Sequence, residues 1–356
     1  DDIVFEAVER ADSEAFKAGL IQLNSLSLQT DEITGSLAQV KLANVDFPKL
    51  VDIASFMEIA NSPDETEAGL AAISLTADIY SMLADAKFDE LSMSDFAATA
   101  TNDEPFNFAL KSFGFYDLKN GLLDRYSIEG LVLNGQGDDK EPVTITMQEA
   151  TTRLINFDAV RRAFLPEFHT GEADRTWKQA VGESVIRNVT ISTQEVSGII
   201  GSISMDGSRI RQASEPLETI MKNLIREAES ANEDPQQVLF AVLEVYDAIA
   251  IDEIAAETMA FSGKTDKDEQ ISVQSGAYRF GPFSLEEGLR NVSLEGLRVA
   301  LDNKLTMELG SYGIGDLKFP PIEDIKALKG VEIQDPEVLL RVLPTLGKFF
   351  IEGFKI

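Results

Sequence analysis

The sequence predicts an α+β fold built from two similar halves, and three observations support this. FGFYDLKNGLLDRYSIEGL, from Phe113, and FGPFSLEEGLRNVSLEGL, from Phe280, repeat nearly the same residues 167 positions apart. Many segments alternate apolar and polar residues, as half-buried strands do, and a few runs show helical spacing. The pattern predicts a tandem duplication of a unit of roughly 165 residues, each with antiparallel strands and an inserted helical hairpin.

The register of the repeat persists outside the two opening stretches. SIEGL, from Ser127, corresponds to SLEGL, from Ser293, at a separation of 166 residues, and Tyr80 corresponds to Tyr246 at the same separation. This spacing predicts a first half over residues 1–170 and a second over 171–335. Residues 336–356 are predicted to form an apolar or amphipathic C-terminal tail that docks on the body.

Strands are predicted where alternation is clearest. These segments are SLSLQT, AQVKLANVDF, YSIEGLVL, VTITMQ, NVTISTQ, ISVQSGAYRF, VSLEGLRVAL and KLTMELGSYG. Phe47, Phe157 and Phe319 each follow such a run and precede Asp or Pro, residue types that begin helices. The sequence therefore predicts a sub-repeat of three strands and one helix (β-β-β-α), used four times.

Helices are predicted from apolar residues spaced three and four apart. In the first half the runs are Leu50–Met57 and Ile73–Leu83, and in the second half Leu217–Leu224 and Leu239–Tyr246. Each pair is separated by an acidic segment that contains proline, so each half is expected to contain a helical hairpin.

The charge balance excludes one class of partner. The chain of 356 residues carries 31 Lys and Arg against 61 Asp and Glu, a net charge of -30. Such a surface repels phosphate backbones, so nucleic-acid binding is not expected, and anionic lipid headgroups are disfavoured. The acidity is typical of a soluble protein from a saline or extracytoplasmic setting. A cationic partner or bound calcium is the alternative.

Cysteine is absent, which excludes disulfides and thiol chemistry within the chain. Chains exposed to oxidising conditions either pair their cysteines or avoid them. Since the sequence starts with DDIVFEAVER rather than Met, removal of a targeting segment is one interpretation. We therefore expect an exported protein, periplasmic or extracellular. No run of 18 apolar residues occurs, so no transmembrane helix is expected.

Few residues suggest catalysis. His169 is the only histidine, and we interpret it, with nearby Trp177, as a residue of the junction between the halves. Acidic clusters at Asp138–Asp139, Asp266–Glu269 and Asn232–Pro235 are interpreted as solvated turns. Paired carboxylates could also bind calcium or hydrolyse glycosides, but none has calcium-loop spacing.

Other motifs have structural interpretations. The glycine-rich segment Gly310–Phe319 lacks the lysine of a phosphate-binding loop. Asn188 and Asn291 match the glycosylation pattern but lie in predicted strands. Glu129 and Glu295 of the repeated S-[IL]-E-G-L are expected to face water. No catalytic, cofactor-binding or metal-binding residue is predicted.

The expected function is non-catalytic. The apolar and aromatic content predicts that the duplicated sheets form a groove for a hydrophobic, lipid-like ligand in the cell envelope. One alternative is a structural scaffold that binds another envelope protein without a small ligand. A second alternative is a hydrolase that uses carboxylates.

Overall fold

A computed structural model describes residues 3–6, 15–30, 32–51, 64–100, 105–136, 141–170, 175–228, 235–265, 268–302, 304–327 and 343–356. Most of these residues lie in antiparallel strands, with five helices among them. The prediction of antiparallel sheet combined with helices is confirmed, and the sheet predominates.

The strands alternate along one long meander. In chain order they are β1 (Ile3–Glu6), β2 (Phe16–Gln29), β3 (Ile33–Phe47), β4 (Phe88–Ala100), β5 (Phe106–Lys119), β6 (Leu122–Gln136), β7 (Pro142–Asn156), β8 (Lys178–Val181), β9 (Ser184–Ser192), β10 (Val196–Met205), β11 (Ser208–Ile210), β12 (Ile249–Ile251), β13 (Ile254–Lys264), β14 (Gln270–Phe280), β15 (Phe283–Ser284), β16 (Gly288–Leu301), β17 (Leu305–Leu317) and β18 (Lys348–Glu352). All eight alternating segments predicted above overlap these strands, and five of them lie wholly within a strand.

One antiparallel ladder joins the long strands. Its order is β1-β2-β3-β4-β5-β6-β7-β9-β10-β13-β14-β16-β17-β18. The short strands β8, β11, β12 and β15 pair with one another at one end of the long strands, beyond β9, β10, β13 and β14. The first and second halves of the chain therefore share one sheet, because β7 pairs with β9.

The helices lie between strands at that same end. They are α1 (Glu65–Asp85), α2 (Phe157–Phe164), α3 (Leu217–Ala228), α4 (Pro235–Asp247) and α5 (Ile322–Lys326). Asp64 caps α1 by accepting hydrogen bonds from the backbone N–H groups of Thr66 and Glu67, which would otherwise be unsatisfied. Asn156 caps α2 in the same way.

The predicted sub-repeat is wrong. In the described residues, three strands precede α1, four lie between α1 and α2, and six lie between α4 and α5, so an order of three strands and one helix is not repeated four times. Phe47 and Phe157 do mark strand ends, but only Phe157 begins a helix directly. The helical runs Ile73–Leu83, Leu217–Leu224 and Leu239–Tyr246 are confirmed as helices, whereas residues 52–57 of the first run lie outside the described residues.

The predicted C-terminal tail contributes to the sheet in its described part. Phe350 pairs with Gly313 and Glu352 with Ser311, so β18 forms the edge next to β17. Residues 336–342 of the tail lie outside the described residues.

Each long strand crosses two lines at which the backbone departs from extended geometry. Line one is a row of residues that lie opposite one another on neighbouring strands of the ladder. On every second strand, the residue in this row has a positive φ. These residues are Ser25, Asp95, Gly130, Asn188, Thr258, Gly296 and Gly353. The strands between them place Ala38, Lys111, Gln148, Gly201, Gly276 and Gly310 on the same line.

Line two is parallel to line one and lies six residues from it along each strand. On β2, for example, residue 25 is on line one and residue 19 is on line two. Here the positive φ values fall on the other strands, at Asn44, Asp117, Leu154 and Asp316. In the second half of the chain the same line separates β8 from β9, β10 from β11, β12 from β13 and β14 from β15. Gly, Asn and Asp predominate at these positions because they adopt left-handed geometry at the lowest cost.

Leu154 is an unfavourable residue for its place on line two. Its φ is 55° and its side chain is 37% exposed. Left-handed geometry costs an ordinary residue about 1–2 kcal/mol, and Asn tolerates it better. We expect Leu154→Asn to raise the free energy of unfolding by about 0.5–1 kcal/mol, measured by urea titration.

The matched control for Leu154→Asn is Leu133→Asn. Leu133 has nearly the same exposure, 36%, but no positive φ. The control should be neutral or destabilising. If both substitutions change stability equally, backbone strain at Leu154 is not the cause.

Candidate functional site

The candidate site is the apolar face of the sheet. Between the two lines, one transverse row of residues is apolar on each of the thirteen strands that follow β1 in the ladder. Its members are Leu23, Val40, Met93, Phe113, Ile128, Ala150, Ile186, Ile203, Ala256, Tyr278, Leu294, Tyr312 and Ile351. We call this row the central row.

A row that is polar on every strand except β14, which has Ala277, lies between the central row and line one. Its members are Asn24, Gln39, Ser94, Ser112, Glu129, Glu149, Arg187, Ser202, Glu257, Ala277, Glu295, Ser311 and Glu352. Alternate residues of a strand point to opposite faces, so this row faces away from the central row.

Apolar residues again occupy alternate positions beyond line one, but the alternation is shifted by one residue relative to that of the central row. The row next to the line contains Leu26, Leu37, Phe96, Leu110, Leu131, Met147, Val189, Ile200, Met259, Ser275, Leu297, Leu309 and Phe354. Line one and the polar row are thus two successive outward positions. We call the apolar face of the sheet, on both sides of line one, the trough.

Contacts within each face agree with this assignment. On the outer face, Lys111 on line one lies 3.4 Å from Glu129 of the polar row. Arg279 bridges Glu253 and Glu257, which are four residues apart on the same outer side. In the trough, aromatic rings meet along and between strands, as Phe113 meets Phe115 at 5.2 Å.

The helices pack against the sheet beyond line two, at one side of the trough. Beyond line two, the next apolar row includes Val45, Phe88, Leu118 and Leu123, each at most 2% exposed. Leu83 of α1 packs against this cluster. A second cluster joins α1, α2 and α3, where Tyr80 meets Phe164 edge to face at 5.6 Å.

Away from the helices, the described side chains of the trough are partly or largely exposed. None of the thirteen side chains of the central row is buried, and Tyr312 is 44% and Ile351 56% exposed. Thirteen strands at a spacing of about 4.8 Å give the trough a length of about 60 Å. An apolar surface of this extent is far larger than single exposed apolar residues require, and it indicates a binding surface.

The trough presents few polar groups. Thr152 on β7 and Ser184 on β9 face each other near its middle, and the Ser184 hydroxyl donates to Thr152 at 3.1 Å. The Tyr126 ring stacks with Phe113 and Phe115, and burial raises the pKa of its hydroxyl. A ligand that fills this surface must therefore be apolar along most of its length.

A polar cluster lies at the helical end, apart from the trough. Arg211 is 8% exposed and donates to the Asp247 carboxylate at 2.7 Å and to Glu286 at 2.8 Å. Its guanidinium lies 4.4 Å from the centre of the Trp177 ring. Arg175 also pairs with Asp247, so one carboxylate joins two cations. These groups satisfy each other, which gives the cluster a structural role.

A smaller ion-pair network ties α2 to α1. Arg161 donates to Asp158 and to Asp85, both at 2.7 Å. Burial alone would raise the pKa of Asp158, but hydrogen bonds from Arg162 and Arg161 outweigh it and hold the pKa below its usual value. Asp158 lies in the first turn of α2, where a negative charge is favourable.

The residues singled out from the sequence do not converge on one site. His169 hydrogen-bonds through Nε2 with the Ala213 carbonyl at the helical end. Trp177 belongs to the Arg211 cluster. Glu129 and Glu295 lie in the outer polar row, as expected for residues that face water.

The remaining candidate motifs are strands or turns. Gly310–Phe319 falls largely in β17 and is not a loop. Asn188 donates to Gln148 on line one, and Asn291 donates to Ser293. Asp268 and Glu269 pair with Lys264 and Lys304. Asp138–Asp139, Asp266 and residues 232–234 lie outside the described residues.

The described part of the chain lacks two further features. It holds no group of three or more His, Asp or Glu side chains placed to bind a metal. None of its helices is both long enough and apolar enough to cross a bilayer.

Comparison with known proteins leaves the trough as the main guide to function. No protein-family model matches the chain, and neither a curated protein nor a solved structure shows significant similarity to it.

Proposed function

We propose that the chain binds lipid-like molecules through their acyl chains, along the trough. The observation that carries this proposal is the unburied central row, which is apolar on thirteen consecutive strands. Each methylene removed from water contributes about 0.8 kcal/mol, so a row of this length can bind long hydrocarbon chains strongly. The outer face, with its ion pairs and net negative charge, keeps the complex in solution.

The length of the trough supports binding of more than one chain. The hydrocarbon core of a bilayer is about 30 Å thick, which makes one acyl layer about 15 Å. A trough of about 60 Å therefore spans about four acyl layers end to end.

An exported location belongs to the same proposal. Its support is the absence of cysteine together with the acidic composition. A protein that binds lipid outside the cytoplasm needs no catalytic residue, since burial of the ligand is the whole task.

A duplicated origin is also proposed. From β2 to α2 the order is two strands, a helix, four strands and a helix. From β9 to α5 a similar order recurs, with two helices in place of α1 and with strands split at line two. Ser127 and Ser293 also hold equivalent places on β6 and β16 relative to line one.

The test is direct detection of lipid. The full chain would be purified from cells without detergent and examined by native mass spectrometry and by solvent extraction. We expect co-purified lipid, at more than one acyl chain per protein. Absence of lipid, together with no binding of a fluorescent phosphatidylcholine added to the protein, would contradict the proposal and favour the scaffold alternative.

A further inference from the structure

The strand β18 presents exposed apolar side chains at one edge of the described sheet. Leu346, Phe349, Ile351 and Phe354 lie in the trough rows on this strand and its extensions, and each is between 53% and 59% exposed. Among the residues that the structure describes, β17 is the only strand that pairs with β18. The side of β18 away from β17 therefore has no strand partner within the described part of the chain.

Every second residue of β18 directs its backbone groups away from β17. Thr345, Gly347 and Lys355 direct their N–H groups to β17. Alternation then directs the N–H and C=O groups of the even-numbered residues, from Leu346 to Phe354, to the other side. A second antiparallel strand can form hydrogen bonds with all of these groups.

One twofold register of two β18 strands aligns the bends of both copies. Line one crosses β18 at Gly353, and line two crosses it at Gly347, which lies opposite Asp316. When Phe350 lies opposite Phe350 of a second copy, Gly353 of each copy lies opposite Gly347 of the other. Line one of each copy then continues as line two of the other copy.

The same register continues the alternation of backbone conformation. Along line one, positive φ occurs on every second strand, and on β18 it occurs at Gly353, with a φ of 69°. Gly347 has no positive φ, so it fits the next place in this alternation. A register shifted by two residues places Thr345 or Phe349 opposite Gly353, and both lines are then broken at the interface.

Charged side chains on the outer face favour the same register. With the two Phe350 residues opposite each other, Lys348 of each copy faces Glu352 of the other. A shift by two residues places Lys348 opposite Phe350 or Phe354 instead. Charges on an edge strand normally prevent pairing with arbitrary strands. Here they are opposite in sign and directly face each other in one twofold register only.

Apolar side chains of the trough also meet across this interface. Phe349 faces Ile351 of the second copy, and Leu346 faces Phe354. The twofold axis of an antiparallel pair is perpendicular to the sheet, so the apolar faces of both copies lie on the same side. Thirteen strands from each copy, at a spacing of about 4.8 Å, give a joined trough of about 120 Å.

We propose that two copies of this chain form a symmetric dimer through β18, with the twofold axis at Phe350. The match of bends, backbone conformation, charge and apolar rows in one register identifies a second copy as the partner. Backbone hydrogen bonds along the added strand provide affinity, and the alternate side chains provide specificity. The dimer forms without lipid, so this inference is independent of the proposed function.

Exchange of the two charges tests the register. Lys348→Glu makes both facing pairs negative, and Glu352→Lys makes both positive. We expect each single variant to raise the dissociation constant of the dimer at least about tenfold, and the combined variant to restore it to within about threefold. Sedimentation equilibrium between about 1 and 100 μM measures these constants. Both side chains are exposed, so all variants should fold, which circular dichroism checks.

Cysteine cross-linking tests the same register without a change of charge. The chain contains no cysteine, so Phe349→Cys and Ile351→Cys each introduce one thiol. Directly opposite residues lie about 4.5–5.5 Å apart, whereas diagonal neighbours lie about 7–8 Å apart, which is too far for a disulfide. Under mild oxidation, the two variants expressed together should form covalent dimers on a non-reducing gel, and neither variant alone should do so.

Four results would overturn the proposal. The unmodified protein could stay monomeric over the whole concentration range, or the combined charge variant could associate as weakly as the single variants. Either cysteine variant alone could cross-link as readily as the two together. Oligomers that keep growing with concentration would show head-to-tail assembly in place of a closed dimer.

Discussion

Ile186→Asp combined with Ile203→Asp is expected to weaken binding of a fluorescent phosphatidylcholine at least about thirtyfold, because burying a carboxylate against hydrocarbon costs several kcal/mol and 2 kcal/mol already corresponds to this factor. Ile186 and Ile203 face each other on β9 and β10, in the middle of the central row. Both side chains are half-exposed, so the free protein can keep the new charges in water and remain folded.

The matched control places two carboxylates on the opposite face of the same strand. Ser202→Asp with Ser204→Asp adds the same charge on the outer side of β10, next to Ile203. This control should bind the lipid as the unmodified protein does. Circular dichroism and thermal melting establish that both double variants are folded. Equal binding by both would show that the lipid lies outside the trough.

Asp247→Ala is expected to lower the free energy of unfolding by about 3–5 kcal/mol, since it leaves a buried guanidinium without its main partner. Arg211 is 8% exposed and donates to both the side chain and the backbone of Asp247. Arg175 loses the same carboxylate. Urea titration followed by fluorescence of Trp177, which contacts Arg211, measures the effect.

Two controls show whether burial causes the effect of Asp247→Ala. Glu286→Gln removes another partner of Arg211, but the Glu286 side chain is 62% exposed, so a loss below about 1 kcal/mol is expected. Replacing both members of the pair, by Arg211→Met with Asp247→Leu, should cost less than Asp247→Ala alone because no charge stays buried. A double variant less stable than Asp247→Ala would contradict this account.

Much of the sheet is predictable from the sequence, because alternation is a local signal. YSIEGLVL and VSLEGLRVAL, around Glu129 and Glu295, lie in β6 and β16. Strict alternation does not predict a strand in the segment FDELSMSDFAATA, from Phe88, although this segment forms β4. Its alternation changes phase between Met93 and Phe96, where line one crosses the strand. A search for strict period-two alternation fails at this point.

The residues of the trough were not predictable from the sequence alone. A groove for a hydrophobic ligand stays a prediction, and the alternation of single strands does not identify its residues. The signal is present in the sequence as apolar residues at positions 1, 3, 6 and 8 of a strand, for example Tyr126, Ile128, Leu131 and Leu133 on β6. This spacing forms a continuous apolar surface only when the apolar positions of thirteen strands align in the sheet. That alignment depends on pairing between residues far apart in the sequence. The Arg211–Asp247 pair was missed for the same reason, since its members are 36 residues apart.

The alternating positions of the bends determine how such a protein can change in length during evolution. In the first half of the chain, a strand with positive φ at line one is followed by a strand with positive φ at line two, as Gly130 on β6 is followed by Leu154 on β7. The smallest insertion that preserves this order is a hairpin of two strands, which lengthens the sheet by about 10 Å. A single inserted residue inside a strand would instead turn half of that strand inside out. Length variation among descendants of this fold should therefore come in whole hairpins, while the interval of six residues between the lines stays fixed.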